Sequence, residues 1–138
     1  MIIDTSALLA ILFDESDGPE LLRLVVEAPT RLISAANVLE AWIVADRHSN
    51  PAKAPALDAL IETVGLDIEP VTVAQARLAR AAYQAYGKGR HPAGLNYGDC
   101  FAYALAKATG LPLLFKGDDF SQTDIEAVLR NGKGKEQF

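Results

Sequence analysis

The sequence predicts an α/β fold: a central parallel sheet of about four to five strands flanked by helices on both faces. Three observations predict it. Short apolar runs alternate with helical patterns of ten or more residues, and strands separated by that much chain pair in parallel. The 138 residues fit one domain. Half of them are hydrophobic, which supports a real core and argues against disorder. We expect residues 1–130 to form that domain and 131–138, "NGKGKEQF", to be a polar, flexible tail.

The elements follow in order. "MIID" is a short apolar strand. "TSALLAILF" has helical spacing, with Thr5 or Ser6 able to cap it. "GPELLRLVVEA" places Pro19 in the first turn, where a missing N–H costs least. "RLISA" reads as a strand. "SAANVLEAWIVADRH" puts Val38, Trp42 and Ala45 on one helical stripe. In "NPAKAPALDALIETVG", Asn50 is the expected cap, Pro51 the first position and Gly65 the stop. "LDIEPV" is a strand, and "TVAQARLARAAYQAYG" opens with Thr72 and Gln75 in capping-box spacing and ends at Gly87. The polar loop "GKGRHPAG" leads into the helix of "LNYGDCFAYALAKATG", capped by Asn96. A strand "PLLF", a turn "KGDDF" and a short last strand around "DIEAV" complete the chain. No internal repeat, low-complexity tract or linker interrupts it.

Bulk chemistry excludes several classes. No apolar run approaches the roughly 20 residues that cross a bilayer, and the N-terminus reads as a strand and helix rather than a signal peptide. The single cysteine, Cys100, cannot form an internal disulfide and has no zinc-type neighbours. It fits a cytoplasmic protein, as a small buried hydrophobe. A net charge of −5 disfavours non-specific nucleic-acid binding by the whole surface, while leaving room for a local site built around cations.

In open parallel sheets, sites form beyond the carboxyl ends of strands and at helix starts. Acids gather at those places. Asp4 ends the first strand, Asp118 and Asp119 follow "PLLF", Asp99 lies in the first turn of its helix, and Glu40 sits among apolar neighbours in "NVLEAW". Each has a plain structural reading beside the functional one. Asp99 meets a helix dipole for about 0.3–1 kcal/mol, Asp118 and Asp119 suit a turn, and Glu40 suits a solvated helix face. Asp4 resists such a reading, because a carboxylate at the end of a buried strand is costly unless paired or bound to a cation. Clustered acids raise one another's pKa, and a divalent cation removes that penalty. With only His48 and His91 in the chain, the ion is Mg²⁺ or Mn²⁺, which favour carboxylate and water oxygens. Such a site points to phosphoryl-transfer chemistry on a phosphodiester.

These residues carry a resemblance. "MIIDTSALLAIL", "ISAANVLEAW" and "LNYGDCFAYALAKATGLPLLFKGDDFSQTDI" resemble, in the same order, the acid-bearing segments of PIN-domain ribonucleases of the VapC toxin type, from type II toxin–antitoxin systems. The likeness spans roughly residues 1–128. It implies a PIN-like fold and a Mg²⁺-dependent endoribonuclease, with Asp4, Glu40 and Asp99 in an acidic site. Asp4 and Asp99 would hold the metal. The fourth acid falls in "KGDDF", where Asp119 fits better than Asp118. Thr5, Ser6 and Asn96 are candidate supporting groups, although capping would explain each of them. Lys88, Arg90 and His91 in the preceding loop, with Lys116, suit a phosphate backbone or simply a solvated loop. Tyr97 suits base stacking or a core or interface position. The resemblance also implies a cognate VapB-type antitoxin, and a homodimer or a toxin–antitoxin hetero-oligomer. Leu21, Leu24, Val25, Val38 and Trp42 are candidates for the antitoxin's docking surface or for the core. Two rival readings stand: a non-catalytic PIN-like binding module, and a metal nuclease directed at DNA.

Overall fold

The computed structural model describes residues 1–128. Strands β1 (Ile2–Ile3), β2 (Leu32–Ser34), β3 (Asp67–Glu69) and β4 (Leu113–Leu114) form one parallel sheet in the order β3-β2-β1-β4. Helices α1 (Thr5–Leu12), α2 (Gly18–Glu27), α3 (Ala35–Arg47), α4 (Lys53–Val64), α5 (Val73–Tyr86) and α6 (Tyr97–Thr109) connect and cover the strands. The expected α/β architecture is therefore the observed one.

The strands are very short, yet their alternation is clear. Successive side chains point to opposite faces, so Ile3, Ile33 and Leu114 enter one core while Ile2 and Leu113 enter the other. The first core is closed by Leu8, Leu21, Val38 and Leu57 from α1 to α4. The second is closed by Ala79, Ala82, Leu105 and Ala106 from α5 and α6, with Leu95 and Phe120 from the connecting segments. Each fully buried Leu or Ile contributes about 1.5–3 kcal/mol. The edge strand β3 is less covered, with Ile68 42% exposed, and Asp67 and Glu69 on either side of it keep that edge charged.

Several local expectations change in detail. Helix α1 is capped by Asp4 rather than by Thr5 or Ser6, the Asp4 side chain accepting from the Ser6 amide. Asn50 does not cap α4. Its side chain accepts from the Ala52 amide in the turn before the helix, which begins only at Lys53. An Asn–Pro pair favours such a turn over immediate helix entry. Gly65 and Gly110 end α4 and α6 in left-handed conformations, as Gly does readily. The last expected strand contracts to one parallel bridge, Leu113 to Ala127. Its segment is fastened by Asp124, which accepts from Tyr103 Oη and Lys107 Nζ at 2.6 Å each. Residues 129 and 130 of the expected domain, and the expected tail 131–138, lie outside the described residues. Leu21, Val25 and Val38, offered as a docking surface, are core residues. Leu24 and Trp42 are half-buried, and Trp42 donates its indole N–H to Asp58 at 3.0 Å instead of joining the fully buried core.

Candidate active site

Because all four strands run parallel, their carboxyl ends share one edge. Asp4 leaves β1 there, bonded through its own amide to the Leu114 carbonyl at the end of β4 (2.9 Å). Ser34 ends β2 and caps α3 through its hydroxyl, and Glu40 lies one to two turns along that helix. Helix α6 starts at the same place. Its cap is a reciprocal box: Asn96 Oδ1 accepts from the Asp99 amide at 2.9 Å, and Asp99 Oδ2 accepts from the Asn96 amide at 3.0 Å. The structural reading of Asp99 is thus correct as far as it goes, but it occupies only one carboxylate oxygen.

Asp4 is used in the same way. Its Oδ2 accepts from the Ser6 amide at 3.0 Å and from the Ser6 hydroxyl at 2.5 Å. That hydroxyl also accepts from the Lys116 amide at 3.0 Å, tying α1 to the segment after β4. Thr5 serves Glu40 rather than Asp4. Its hydroxyl lies 2.6 Å from Glu40 Oε1 and 3.1 Å from the Asn37 carbonyl, and the charged acceptor is the stronger partner for its single proton.

The acids feel one another. Burial pushes the Asp4 carboxyl up to about 7, and the charges of Asp99 and Glu40 add to the rise, while the two bonds from Ser6 oppose it. Burial also raises Asp99, against the pull of the Asn96 amide, with Asp119 and Glu40 adding to the rise. The structure therefore brings Asp4, Glu40, Asp99 and Asp119 into one electrostatic cluster. Asp118 is not among the charges acting on Asp99; its carbonyl accepts from the Ser121 amide and hydroxyl. Cys100 is buried beside the cluster, and burial together with Asp99 raises its thiol, the opposite of a reactive thiolate.

The donor set fits a hard divalent cation. It consists of carboxylate oxygens, and no cation figures among the charges acting on Asp4 or Asp99. Lys116, the nearest candidate in sequence, is held by Glu15 at 3.2 Å and Asp17 at 3.3 Å. Among the described residues, no three Asp, Glu, His or Cys side chains are drawn together as a ready cage. Asp4 and Asp99 each commit one oxygen to a helix cap, and Glu40 commits one to Thr5. The fit is one of charge and donor type.

The candidate substrate-facing cations have separate surroundings. Lys88 and Arg90 are exposed, the Arg90 guanidinium lying 5.4 Å from the Tyr83 ring centre. His91 meets Tyr86 edge-on and accepts from the Ala93 amide. Tyr97 is 82% exposed, which removes a core role.

Two residues escaped the sequence reading. Asn37 is fully buried, and its Nδ2 donates to the Gly98 carbonyl at 2.9 Å, while its Oδ1 has no partner among the described residues. An unmet buried acceptor costs about 1–3 kcal/mol. Gly98 packs directly on the Glu40 carboxylate. The available signals were an Asn one helical turn before Glu40 and a Gly inside a helix just before Asp99.

Comparison with known proteins gives the family and the fold. The PIN domain family model matches residues 1–126. The chain is 51% identical over 130 residues to ribonuclease VapC28 of Mycobacterium tuberculosis, covering 94% of this chain and 98% of that protein. Among solved structures it resembles VapC20 of Mycobacterium tuberculosis, described as a sarcin–ricin loop cleaving toxin. There the TM-score is 0.74 and the identity 20%, over 94% of this chain and 98% of that one. It also resembles VapBC2 from Rickettsia felis, solved bound to a fragment of promoter DNA. That match has a TM-score of 0.72 at 15% identity, over 94% and 98% of the two chains.

Proposed function

The chain belongs to the PIN-domain family, in its VapC branch, and from that premise we propose that it is a metal-dependent endoribonuclease toxin. The single observation that carries the reading is Asp4. It is a buried carboxylate at a strand end, pushed up to about 7 and coupled to Glu40 and Asp99. A fold that needed only a helix cap there would use Ser or Asn at no such electrostatic cost.

Asp4 and Asp99 are proposed to hold Mg²⁺, or Mn²⁺ in its place. When bound, the ion supplies charge neutralisation and Lewis acidity at the scissile phosphate. The chain's residues do the rest. Ser6 orients Asp4, the Asn96 box orients Asp99, and Thr5 orients Glu40. Glu40 and Asp119 complete the acidic shell and orient the attacking water. In-line attack by that water leaves a 5′-phosphate and a 3′-hydroxyl. Lys88 and Arg90 are exposed for the phosphate backbone, and Lys116 is less so, being engaged by two acids.

The test is cleavage of RNA and DNA side by side, with Mg²⁺ and with EDTA. RNA is cut only with the metal, and Asp4→Asn and Asp99→Asn each lower the rate at least about 100-fold while circular dichroism keeps the folded signature. Asn variants that cut like wild type refute the assignment, and preferential cutting of DNA establishes the rival nuclease. A VapB-type antitoxin is the proposed partner, within a toxin–antitoxin hetero-oligomer or beside a toxin homodimer. Expression of the chain alone then arrests growth, and a short neighbouring reading frame rescues it. Among the described residues no helix is long and apolar enough to cross a membrane, and a cytoplasmic site of action fits the proposed substrate.

A further inference from the structure

We propose that Gly98, strapped to α3 by Asn37, is a positioning residue that sets where the Glu40 carboxylate lies relative to Asp99. The inference rests on the assignment of Glu40 and Asp99 to the active site.

Gly98 is the second residue of α6, between Tyr97 and Asp99. Its φ is not in the left-handed region, unlike that of Gly94 or Gly110, so the backbone does not require glycine. Alanine is the better helix former. The reason for glycine is space. A Cβ at this position would overlap Glu40 Oε2 and come within 2.8 Å of both Cδ and Oε1.

Three contacts make that space specific. Thr5 Oγ1 holds Glu40 Oε1 from the α1 side at 2.6 Å, so the carboxylate is wedged between a hydroxyl and a bare helical turn. Asn37, one turn before Glu40 on α3, donates to the Gly98 carbonyl at 2.9 Å, so α3 cannot simply draw back from α6. Asn37 is itself wholly buried with an unpartnered Oδ1 among the described residues, a poor choice for stability alone. An added methyl group at residue 98 therefore moves the Glu40 side chain, breaking its bond to Thr5, rather than moving the helices. Asp99 stays in place, because its cap is local to α6.

The experiment is a double-mutant cycle of Gly98→Ala and Glu40→Asp on the purified chain, with two readouts. The first is the Glu40 side-chain carboxyl ¹³C resonance in EDTA. It shifts in Gly98→Ala, while the thermal midpoint holds or rises. The second is Mn²⁺ affinity by calorimetry. Gly98→Ala weakens it about tenfold with Glu40 present and less than about twofold in the Glu40→Asp background, where the shorter side chain does not reach the methyl group. An unmoved Glu40 resonance, or equal losses of affinity in both backgrounds, overturns the proposal. A wild-type chain that neither binds Mn²⁺ nor cuts RNA refutes the proposed function instead, and the resonance still decides the role of Gly98. Should Gly98→Ala fail to fold, Asn37→Ser removes the strap without adding bulk. It is expected to shift the same resonance, and an unshifted one overturns the proposal equally.

Discussion

Asp4 and Asp99 perform the same local task in different surroundings. Each gives its Oδ2 to a backbone amide at the start of a helix, α1 for one and α6 for the other. Asp4 is only 3% exposed and stands at the end of a central strand, whereas Asp99 is half-buried and sits in a capping box supported by Asn96. Capping therefore does not separate the two sites, but desolvation does. The proton on Asp4 is held to about pH 7, while Asp99 is raised by its own burial against the pull of the Asn96 amide. One carboxylate can serve the backbone with one oxygen and a reaction with the other, and burial determines how much the second role costs the fold.

The largest expected effect tests that cost. In EDTA the folded protein keeps a proton on Asp4 up to about pH 7, and the unfolded chain releases it near 3.8. Between those values the native state binds more protons, so wild-type stability falls as pH rises through the window. The full difference is about 4 kcal/mol. Asp4→Asn still caps α1 and removes this slope, so urea unfolding at about pH 4 and about pH 8 shows the variant gaining on wild type at the higher pH. Asp99→Asn gains in the same direction by less. Equal gains for the two would break the comparison.

Metal is the next lever. At a free Mn²⁺ concentration about 100 times its dissociation constant, mass action stabilises the wild type by about 2.7 kcal/mol. The thermal midpoint at about pH 8 rises accordingly. Asp4→Asn loses most of that rise, and a rise of the wild-type size in the variant would move the metal away from Asp4.

A smaller effect separates the caps. Asn96→Ala costs about 1 kcal/mol, readable as a lower urea midpoint, because Asp99 depends on a second residue where Asp4 serves as its own cap. The smallest effect is Ser6→Ala. Losing the hydroxyl that opposes protonation of Asp4 shifts the acidic limb of the cleavage profile to higher pH. A limb that stays put or moves down would remove Ser6 from the control of Asp4.

Much of this was legible in the sequence because its signals are local. The short strand runs mark β1 to β4, with a fifth around "DIEAV" that contracts to one bridge, and the parallel rule puts Asp4 and the Asp118–Asp119 pair on one edge. Asn96 with Asp99 could be read as a cap from spacing alone. What escaped depended on contact between distant segments. Thr5 reads from the sequence as a cap or a supporting group, yet it faces Glu40, 35 residues away. Asn37 and Gly98 are 61 residues apart and meet only because α3 and α6, packed in opposite cores, touch beyond the strand ends. Leu21, Val25 and Val38 look equally apt for a core or a docking face, since an apolar stripe does not name what covers it. Three-dimensional closure decided for the core.

The alternation of β1 has a consequence for how the strand finds its place. Ile2 and Ile3 supply identical side chains to opposite faces, so a shift of β1 by one position keeps an isoleucine in one of their two places and brings Met1 or Asp4 into the other. Neighbouring strands paired in the wrong frame are normally rejected because a polar residue is driven inward. Here Asp4 is that residue. A shift toward the strand interior would carry its carboxylate to an isoleucine position, deeper in oil and away from Ser6. The acid assigned to chemistry is thus also the mark by which the central strand reads its own alignment.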